Sequence, residues 1–239
     1  MEEIKKVGHR AYVFLTKPEV VKWSTIAGFS VYISAIILGY IIAQFDLAGP
    51  GADLAGYNII DNFISDMGSY RYTPFPYILD FGCMISSFLL LPTILYMEKI
   101  LAPLPEKAED LPASRMRLRL GSYGFIWMII GLIGMFGVGF FSEDRTTVFR
   151  LHWLFTIVVF GGLAIGGIFF GLLIVFYDTL LPKLLGFYMV FVPSTSAAVA
   201  FGLGFEPILE WIMFLSILLY LTVGGLIVLK HINQELANR

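Results

Sequence analysis

Six long apolar runs restrict the fold of this chain more than any other feature of its sequence. A helix that crosses the roughly 30 Å hydrocarbon layer of a membrane needs about 20 mostly apolar residues. Six segments have that length: Trp23–Phe45, Phe75–Met97, Leu120–Phe141, Leu151–Phe176, Leu184–Gly204 and Ile208–Leu229. Charged residues make up only 14% of the chain, against about 25% in soluble domains. The sequence therefore predicts an all-α integral membrane protein, a bundle of six transmembrane helices.

The basic residues predict how this bundle is oriented. Because six is an even number, both termini lie on the same side of the membrane. That side carries thirteen Lys and Arg residues: Lys5, Lys6, Arg10, Lys17, Lys22, Lys99, Lys107, Arg115, Arg117, Arg119, Lys183, Lys230 and Arg239. The opposite side carries three, Arg71, Arg145 and Arg150. Since cytoplasmic loops are enriched in Lys and Arg, we expect a multi-pass protein of the cell membrane with cytoplasmic N- and C-termini.

Three parts are predicted along the chain. In residues 1–22, apolar side chains recur at helical spacing with basic side chains largely opposite them. This pattern is typical of an amphipathic helix on the anionic inner leaflet, and an ordinary solvated helix is the alternative. Residues 23–230 form the six-helix transmembrane domain, and residues 231–239 form a cytoplasmic tail.

The first outer loop contains the segment NIIDNFISDMGSYRYTP, which begins at Asn58. Apolar residues at positions 59, 60, 63, 64 and 67 share one face of a helix. Asn58 can cap the start of that helix, and Gly68 can supply the left-handed residue that ends it. We therefore predict a short amphipathic helix over residues 58–67.

Glycines recur in spans three and four. Their positions are Gly131, Gly134, Gly137 and Gly139 in span three, and Gly162, Gly166, Gly167 and Gly171 in span four. Small residues allow transmembrane helices to approach closely. We expect these faces to pack within one chain, and an oligomer formed through them is the alternative.

Polar residues near the outer ends of the spans predict a site. Asp80 lies inside span two, where a carboxylate costs about 2.5–3.5 kcal/mol and needs a partner. The candidate ligand-binding residues are Asp80, Asn62, Arg71 and Arg145. The candidate catalytic residues are His152 as a general base, Asp66 to orient it, and Ser65, with either water or the Ser65 hydroxyl as the nucleophile. We expect these side chains to line one outward-facing polar pocket, with spans two and four as neighbours.

Several kinds of chemistry are not indicated. The sequence has no paired-histidine metal spacing, no phosphate-binding glycine loop and no nucleophile elbow, so we predict no metal and no cofactor. The single cysteine, Cys83, rules out an intrachain disulfide. A net charge of −2 argues against a nucleic-acid partner, and membrane lipids are the expected partners.

Two segments carry a resemblance to known families. NFISDMGSYRYTPFPYILDFG and GFFSEDRTTVFRLHWLFTIVVF resemble the six-helix membrane proteins of the domain-of-unknown-function 998 family. The matching residues are Ser65, Asp66, Gly68, Asp80 and His152, although Asp80 stands where that family has an asparagine. More distantly, the pattern resembles the Frag/DRAM/Sfk group. That resemblance implies a role in lipid organisation or lipid-anchor remodelling.

Three hypotheses for function remain open at this stage. The first is a protein that binds a lipid head group or another amphiphile in the outer pocket and hydrolyses it in a catalytic version. The second is a secondary transporter or proton-coupled carrier that uses Asp80, although no internal repeat supports it. The third is a membrane scaffold without a ligand. The sequence does not decide whether the protein is an enzyme.

Overall fold

The computed structural model is all-helical and describes residues 2–44, 56–105, 111–145 and 149–239. Its helices are α1 (Glu2–Leu15), α2 (Pro18–Ala43), α3 (Tyr77–Leu89), α4 (Leu91–Leu101), α5 (Leu111–Phe140), α6 (Leu151–Phe176), α7 (Lys183–Leu203) and α8 (Pro207–Ala237). Six segments are long and apolar enough to span a membrane: Pro18–Ala43, Tyr77–Leu101, Ser114–Phe140, Leu151–Phe176, Lys183–Leu203 and Pro207–Ala237. The predicted six-span helical membrane protein is confirmed, while Phe45, the predicted end of span one, lies outside the described residues.

Span two consists of two helices, α3 and α4. They meet at Leu90, and Pro92 follows within the first turn of α4. Proline has no backbone N–H to donate and is well tolerated at the start of a helix. The chain can therefore change direction at Leu90 without leaving an extra backbone donor unpaired.

The two chain termini lie at one end of the bundle, which we call the termini end. The Tyr12 hydroxyl of α1 donates a hydrogen bond to Glu98 of α4 at 3.5 Å. Arg239, after α8, pairs with Glu235 at 2.8 Å and with Glu19 at the start of α2 at 3.3 Å. These contacts attach α1 and the end of α8 to the transmembrane helices.

Glycines bring α5 and α6 into backbone contact along what we call the glycine seam, formed by Gly131, Gly134 and Gly137 of α5 with Gly162 and Gly166 of α6. A Cβ atom added at Gly134 would lie 2.3 Å from the backbone nitrogen of Val159. One added at Gly162 would lie 2.4 Å from the backbone nitrogen of Gly131. Only residues without a side chain fit at these positions, so the seam packs the two helices within one chain.

Helix α5 lies between α3 and α6. A Cβ atom added at Gly139 of α5 would lie 2.3 Å from the carbonyl oxygen of Asp80 in α3. On the side of α6, a Cβ atom added at Gly137 would lie 2.1 Å from the Phe155 ring. Near the polar cap, span three therefore lies between α3 and α6, and the predicted contact between spans two and four is made by α4 with α6.

At the end opposite the termini, two connections form a layer that we call the polar cap, residues 56–76 and 141–145. The continuous helix predicted over residues 58–67 does not form. Instead, a turn begins at Asn58, whose Oδ1 accepts hydrogen bonds from the backbone N–H groups of Ile60 and Asp61, both at 3.0 Å. A short 3₁₀ helix, Ile64–Gly68, follows it.

Side-chain acceptors explain why the helix is interrupted. The Phe63 N–H donates to the Asp66 carboxylate at 2.9 Å, and the Ile64 N–H donates to the Glu210 carboxylate at 2.7 Å. In a continuous helix these N–H groups would donate to backbone carbonyls. Such side-chain acceptors compete with helical hydrogen bonding, and a partner distant in sequence such as Glu210 cannot be recognised from local periodicity.

Gly68 serves a different purpose from the predicted one. Among the described residues, the glycines with positive φ are Gly56 and Gly204, so Gly68 is not a left-handed helix end. A Cβ atom at Gly68 would lie 2.9 Å from Asp80 Oδ1. The absence of a side chain at Gly68 is what lets the cap approach this buried carboxylate.

Candidate functional site

Asp80 forms an ion pair that joins α3 to the polar cap. It is 4% exposed, and its Oδ2 accepts a hydrogen bond from Arg145 Nη2 at 2.7 Å. The same guanidinium group donates to the carbonyl oxygens of Gly139 at 2.8 Å and Phe140 at 3.2 Å. The structure thus brings together two candidate ligand-binding residues, Asp80 and Arg145, and each is the hydrogen-bond partner of the other.

Asp144 links the two connections that form the polar cap, residues 56–76 and 141–145. Its carboxylate accepts hydrogen bonds from the Ser69 hydroxyl at 2.7 Å and from the backbone N–H of Tyr70 at 2.6 Å. Ser69 is 2% exposed. The sequence places Asp144 among the polar residues on the outer side, but nothing local identifies its partners, which lie about 75 residues earlier in the chain.

Asn62 and Asp66 form a second polar group in the cap. Both are buried, and the Asn62 side-chain amide donates to Asp66 Oδ2 at 3.3 Å. Burial, followed by the nearby Glu143 carboxylate, raises the pKa of Asp66 to about 7, although its bonds to Asn62 and to the Phe63 N–H oppose the shift. A buried carboxyl next to another carboxyl favours the protonated form, so this group titrates near neutral pH.

The first turn of helix α8 forms hydrogen bonds with the polar cap. Glu210, which is 3% exposed, accepts the Ile64 N–H at 2.7 Å, and the Trp211 indole N–H donates to the carbonyl of Asn62 at 3.1 Å. The sequence places Glu210 among the polar residues on the outer side, but neither Glu210 nor Trp211 is among the candidate binding or catalytic residues. Glu210 nevertheless carried the same signal as Asp80, a carboxyl within the first turns of a long apolar run.

His152 lies near Glu143, the carboxyl that also lies beside Asp66. Its Nδ1 lies 2.8 Å from the carbonyl oxygen of Phe141, and since a carbonyl only accepts, Nδ1 carries the hydrogen. The buried Nε2 has no hydrogen-bond partner within the described chain. Across that same part of the protein, no hydrogen bond joins His152 to Asp66 or to Ser65.

The remaining candidates, Arg71 and Ser65, point in different directions. Arg71 is exposed, and its guanidinium lies over the ring of Tyr72, 5.5 Å from the centroid. Ser65 is half-buried and lines a cavity inside the bundle, together with the neighbouring Ile64. Among the candidate residues, Ser65 is the one that lines this cavity, and a polar pocket shared by all of them stays a prediction.

This cavity, which we call the bundle cavity, is lined by helices α2, α3, α4, α5, α6 and α8 and is covered by the 3₁₀ helix of the cap. The volume of the cavity is about 100 Å³, several times the roughly 10–15 Å³ that one water needs. On α8 its lining residues run from Glu210 to Gly225, a rise of about 22 Å at 1.5 Å per residue. The cavity is therefore long and narrow.

The polarity of the bundle cavity differs between its two ends. Most lining residues are Leu, Ile, Val, Met and Phe. Two lining hydroxyls are already paired: Thr93 Oγ1 lies 2.7 Å from Thr25 Oγ1, and Thr156 donates to the carbonyl of His152 at 3.0 Å. Ser65 and Glu210 lie at the cap end. The cavity thus combines a long apolar interior with polar groups at one end.

The structure also bears on metal binding. Within the described ranges, no group of three or more His, Cys, Asp or Glu side chains has an arrangement that could hold a metal ion. Asp80 pairs with Arg145, and Asp66 pairs with Asn62 and the Phe63 N–H. Oε2 of Glu143 is buried and has no hydrogen-bond partner within the described residues.

Comparison with known families gives one match. The model of the Frag1/DRAM/Sfk1/Cwh43P N-terminal domain matches residues 20–235, a stretch that contains the polar cap, the bundle cavity and most of every span. Comparisons with curated proteins and with solved structures found no match. The matching family is the group that the sequence resembles more distantly, and the resemblance to the domain-of-unknown-function 998 family stays a prediction.

Proposed function

The chain belongs to the Frag1/DRAM/Sfk1/Cwh43P N-terminal domain family, and we propose that it binds a membrane lipid or similar amphiphile. The hydrocarbon chain of the ligand lies in the bundle cavity, and its head group lies beneath the polar cap. The observation that carries this proposal is the cavity itself, which is apolar along its length and polar at the cap end.

The physical argument concerns what such a cavity accommodates best. An apolar cavity offers water few hydrogen bonds, whereas a hydrocarbon chain gains dispersion contacts along its whole length. The distance of about 22 Å from Glu210 to Gly225 exceeds the roughly 15 Å depth of one membrane leaflet. The lining therefore extends over the length of a hydrocarbon chain and favours such a chain over a small polar solute. The free volume of about 100 Å³ is smaller than the roughly 150 Å³ of a cavity that binds benzene, so the surrounding helices must move apart to admit a whole chain.

The polar cap acts as the lid of this cavity in our proposal. Ser65 and Ile64 lie directly over the cavity, while Asp80, Arg145 and Asn62 hold the lid in place through their contacts with protein groups. Hydrolysis is not part of the proposal, because no hydrogen bond joins His152 to Asp66 or to Ser65 among the described residues.

We also propose that the polar cap faces the outside of the cell membrane and that both termini are cytoplasmic. The support is the distribution of Lys and Arg, thirteen on the termini side and three on the cap side. In a Cys83→Ala background, an impermeant thiol reagent applied to intact cells should label Ile60→Cys and leave Asn238→Cys unlabelled. Both positions are exposed, so labelling of Asn238→Cys alone would reverse the orientation.

Photocrosslinking tests lipid binding. The purified protein in vesicles is irradiated with hexadecanol that carries a photoreactive diazirine in the middle of its chain, and the labelled residues are mapped by mass spectrometry. We expect labels on residues that line the cavity, such as Leu132, Met135 and Ile217. Leu218→Trp should reduce this labelling several-fold, because Leu218 lines the cavity and a larger ring would occupy it.

A matched control lies one residue further along α8. Leu219 is 52% exposed and does not line the cavity, so Leu219→Trp should leave the labelling of Leu132, Met135 and Ile217 unchanged. The proposal fails if the labels lie only on exposed residues of the spans. It also fails if Leu218→Trp and Leu219→Trp behave alike while both variants remain folded.

A further inference from the structure

The polar end of the bundle cavity has a definite chemical character. Glu210 is the charged residue among the described side chains that line the cavity. Its carboxylate is 3% exposed, and Oε2 accepts the Ile64 N–H at 2.7 Å. A carboxylate has about four lone-pair positions, so one backbone donor leaves acceptor capacity beside the cavity.

The cations of the polar cap do not compensate for this carboxylate. Arg145 is engaged by Asp80 at 2.7 Å and by the carbonyl of Gly139 at 2.8 Å. Arg71 is exposed and lies over Tyr72. The charged groups that interact with Glu210 across the cap are instead the carboxyls of Asp66 and Glu143. The end of the cavity is therefore rich in acceptors.

An acceptor-rich end discriminates between head groups. A phosphate or carboxylate placed beside Glu210 would bring a negative charge next to three carboxyl groups and would find no basic side chain in the cavity lining, and burial of an uncompensated charge is costly. A hydroxyl group would donate a hydrogen bond to a Glu210 oxygen. An ammonium group would favour the ionised form of Glu210 and pair with it through a charge-assisted hydrogen bond, which is among the stronger ones in proteins.

We infer that the ligand is a long-chain amphiphile whose head group donates a hydrogen bond to Glu210 and carries no negative charge, that is, a protonated amine or a hydroxyl. This inference rests on the proposed function and specifies its ligand class. It also gives Glu210 a role beyond the cap, since its bond to Ile64 uses part of its acceptor capacity.

Three probes with the same chain test the inference on the unaltered protein. Hexadecylamine, hexadecanol and hexadecanoic acid compete with the photoreactive hexadecanol in a non-ionic detergent, at a pH where the amine is protonated and the acid is ionised. We expect the amine and the alcohol to compete at least tenfold more strongly than the acid, with the acid excluded by Glu210. If the acid competes as well as the amine and the alcohol, the inference is overturned and chain binding stands. If none of the three competes, chain binding fails as well.

A conservative variant separates ligand contact from the structural role of Glu210. In Glu210→Gln the amide oxygen can still accept the Ile64 N–H, while the negative charge is lost. We expect this variant to reduce competition by the amine at least tenfold, the range for hydrogen bonds to charged groups, and to weaken discrimination against the acid. Unchanged competition by both probes in the folded variant would overturn the inference.

The control for this variant is Glu206→Gln. Glu206 precedes α8 by one residue and is exposed, so the same change there should leave all three probes unaffected. If Glu210→Gln does not fold, the comparison of the three probes on the unaltered protein still decides the outcome, because it requires no substitution.

Discussion

The glycine seam joins α5 to α6 through direct backbone contact, whereas the polar cap joins distant segments through charged and polar side chains. At the seam, a Cβ atom added at Gly134 would meet the backbone of Val159 at 2.3 Å. In the cap, Asp80 binds Arg145 at 2.7 Å across 65 residues of sequence. One region relies on the absence of side chains, and the other relies on specific pairs of them.

This difference separates two roles within one bundle. Close contact between helices that have small residues gives dispersion contacts that do not depend on pH or salt. Contacts between carboxyls, Arg145 and backbone N–H groups depend on the protonation of each group. The stability of the seam is therefore expected to be independent of pH, whereas the stability of the cap over the bundle cavity is expected to change with pH.

The largest effect is expected from Gly134→Ala. The added Cβ would lie 2.3 Å from the nitrogen and 2.6 Å from the Cα of Val159, and backbone atoms cannot turn away as a flexible side chain can. Overpacking typically costs about 1–3 kcal/mol, and here α5 and α6 must separate, so we expect a loss above about 3 kcal/mol or no folded protein. Thermal unfolding in detergent measures it.

Gly161→Ala is the matched control for the seam. A Cβ atom at Gly161 would have no neighbour within 4 Å, and alanine favours helix over glycine by up to about 1 kcal/mol. This variant should unfold at the same temperature as the unaltered protein or slightly above it. Equal destabilisation by the two substitutions would contradict the description of the seam as a backbone contact.

An intermediate effect is expected when the ion pair of the cap is broken, and it should depend on which partner is removed. Arg145→Gln leaves Asp80, 4% exposed, as a buried carboxylate without its cation. Such a loss costs about 3–5 kcal/mol in a fully buried pair. Because the Arg145 side chain is 45% exposed, water screens this pair, and we expect about 2–3 kcal/mol.

Asp80→Asn provides the comparison within the same pair. It leaves Arg145 half exposed and able to bind water, so the expected loss is about 1 kcal/mol or less. Free energies of unfolding measured for both single variants and for the double variant give the coupling between the two residues. A larger loss of unfolding free energy in Asp80→Asn than in Arg145→Gln would contradict the description of Asp80 as the residue that depends on the ion pair.

The same contrast explains how much of the structure could be predicted from the sequence. The six spans follow from the length of their apolar runs, and the glycine spacing of spans three and four predicts a close intrachain contact. Both features are local and periodic, so they are visible without knowledge of the fold. The need of Asp80 for a partner was also predictable, because burial of a lone charge is costly.

The identity of most cap contacts was not predictable in this way. The helix predicted over residues 58–67 is replaced by a turn and a 3₁₀ helix, because Asp66 and Glu210 take backbone N–H groups that the helix would have used. Glu210 lies 146 residues from its partner Ile64. The bundle cavity likewise depends on how six helices are spaced, which no single segment of sequence encodes.

The smallest effect concerns the pH response of the cap. Its centre is Asp66, which is faced by Glu143 and by Glu210 of α8, by the amide of Asn62, and by the hydroxyls of Tyr57 and Tyr72. Burial and Glu143 raise the pKa of Asp66 to about 7, from about 3.9 in an unfolded chain. A raised carboxyl pKa means that its contribution to stability is fully present below about pH 4 and is lost as the pH rises through about 7.

Hydrogen exchange of the Phe63 and Ile64 amides should therefore reveal a loosening of the cap as the pH rises from about 6 to about 8, after correction for the intrinsic pH dependence of exchange. We expect at most about a tenfold change in the corrected rates, equal to about 1.4 kcal/mol, because only about one pH unit of this range lies below the Asp66 pKa of about 7. Asp66→Asn should remove most of this dependence, while Asp61→Asn, at an exposed carboxyl of the same turn, should retain it. Exchange at the glycine seam should stay constant after the same correction in all three proteins, since no titrating group contributes to its contacts. A pH response of equal size in Asp66→Asn would assign the titration to another carboxyl of the cap.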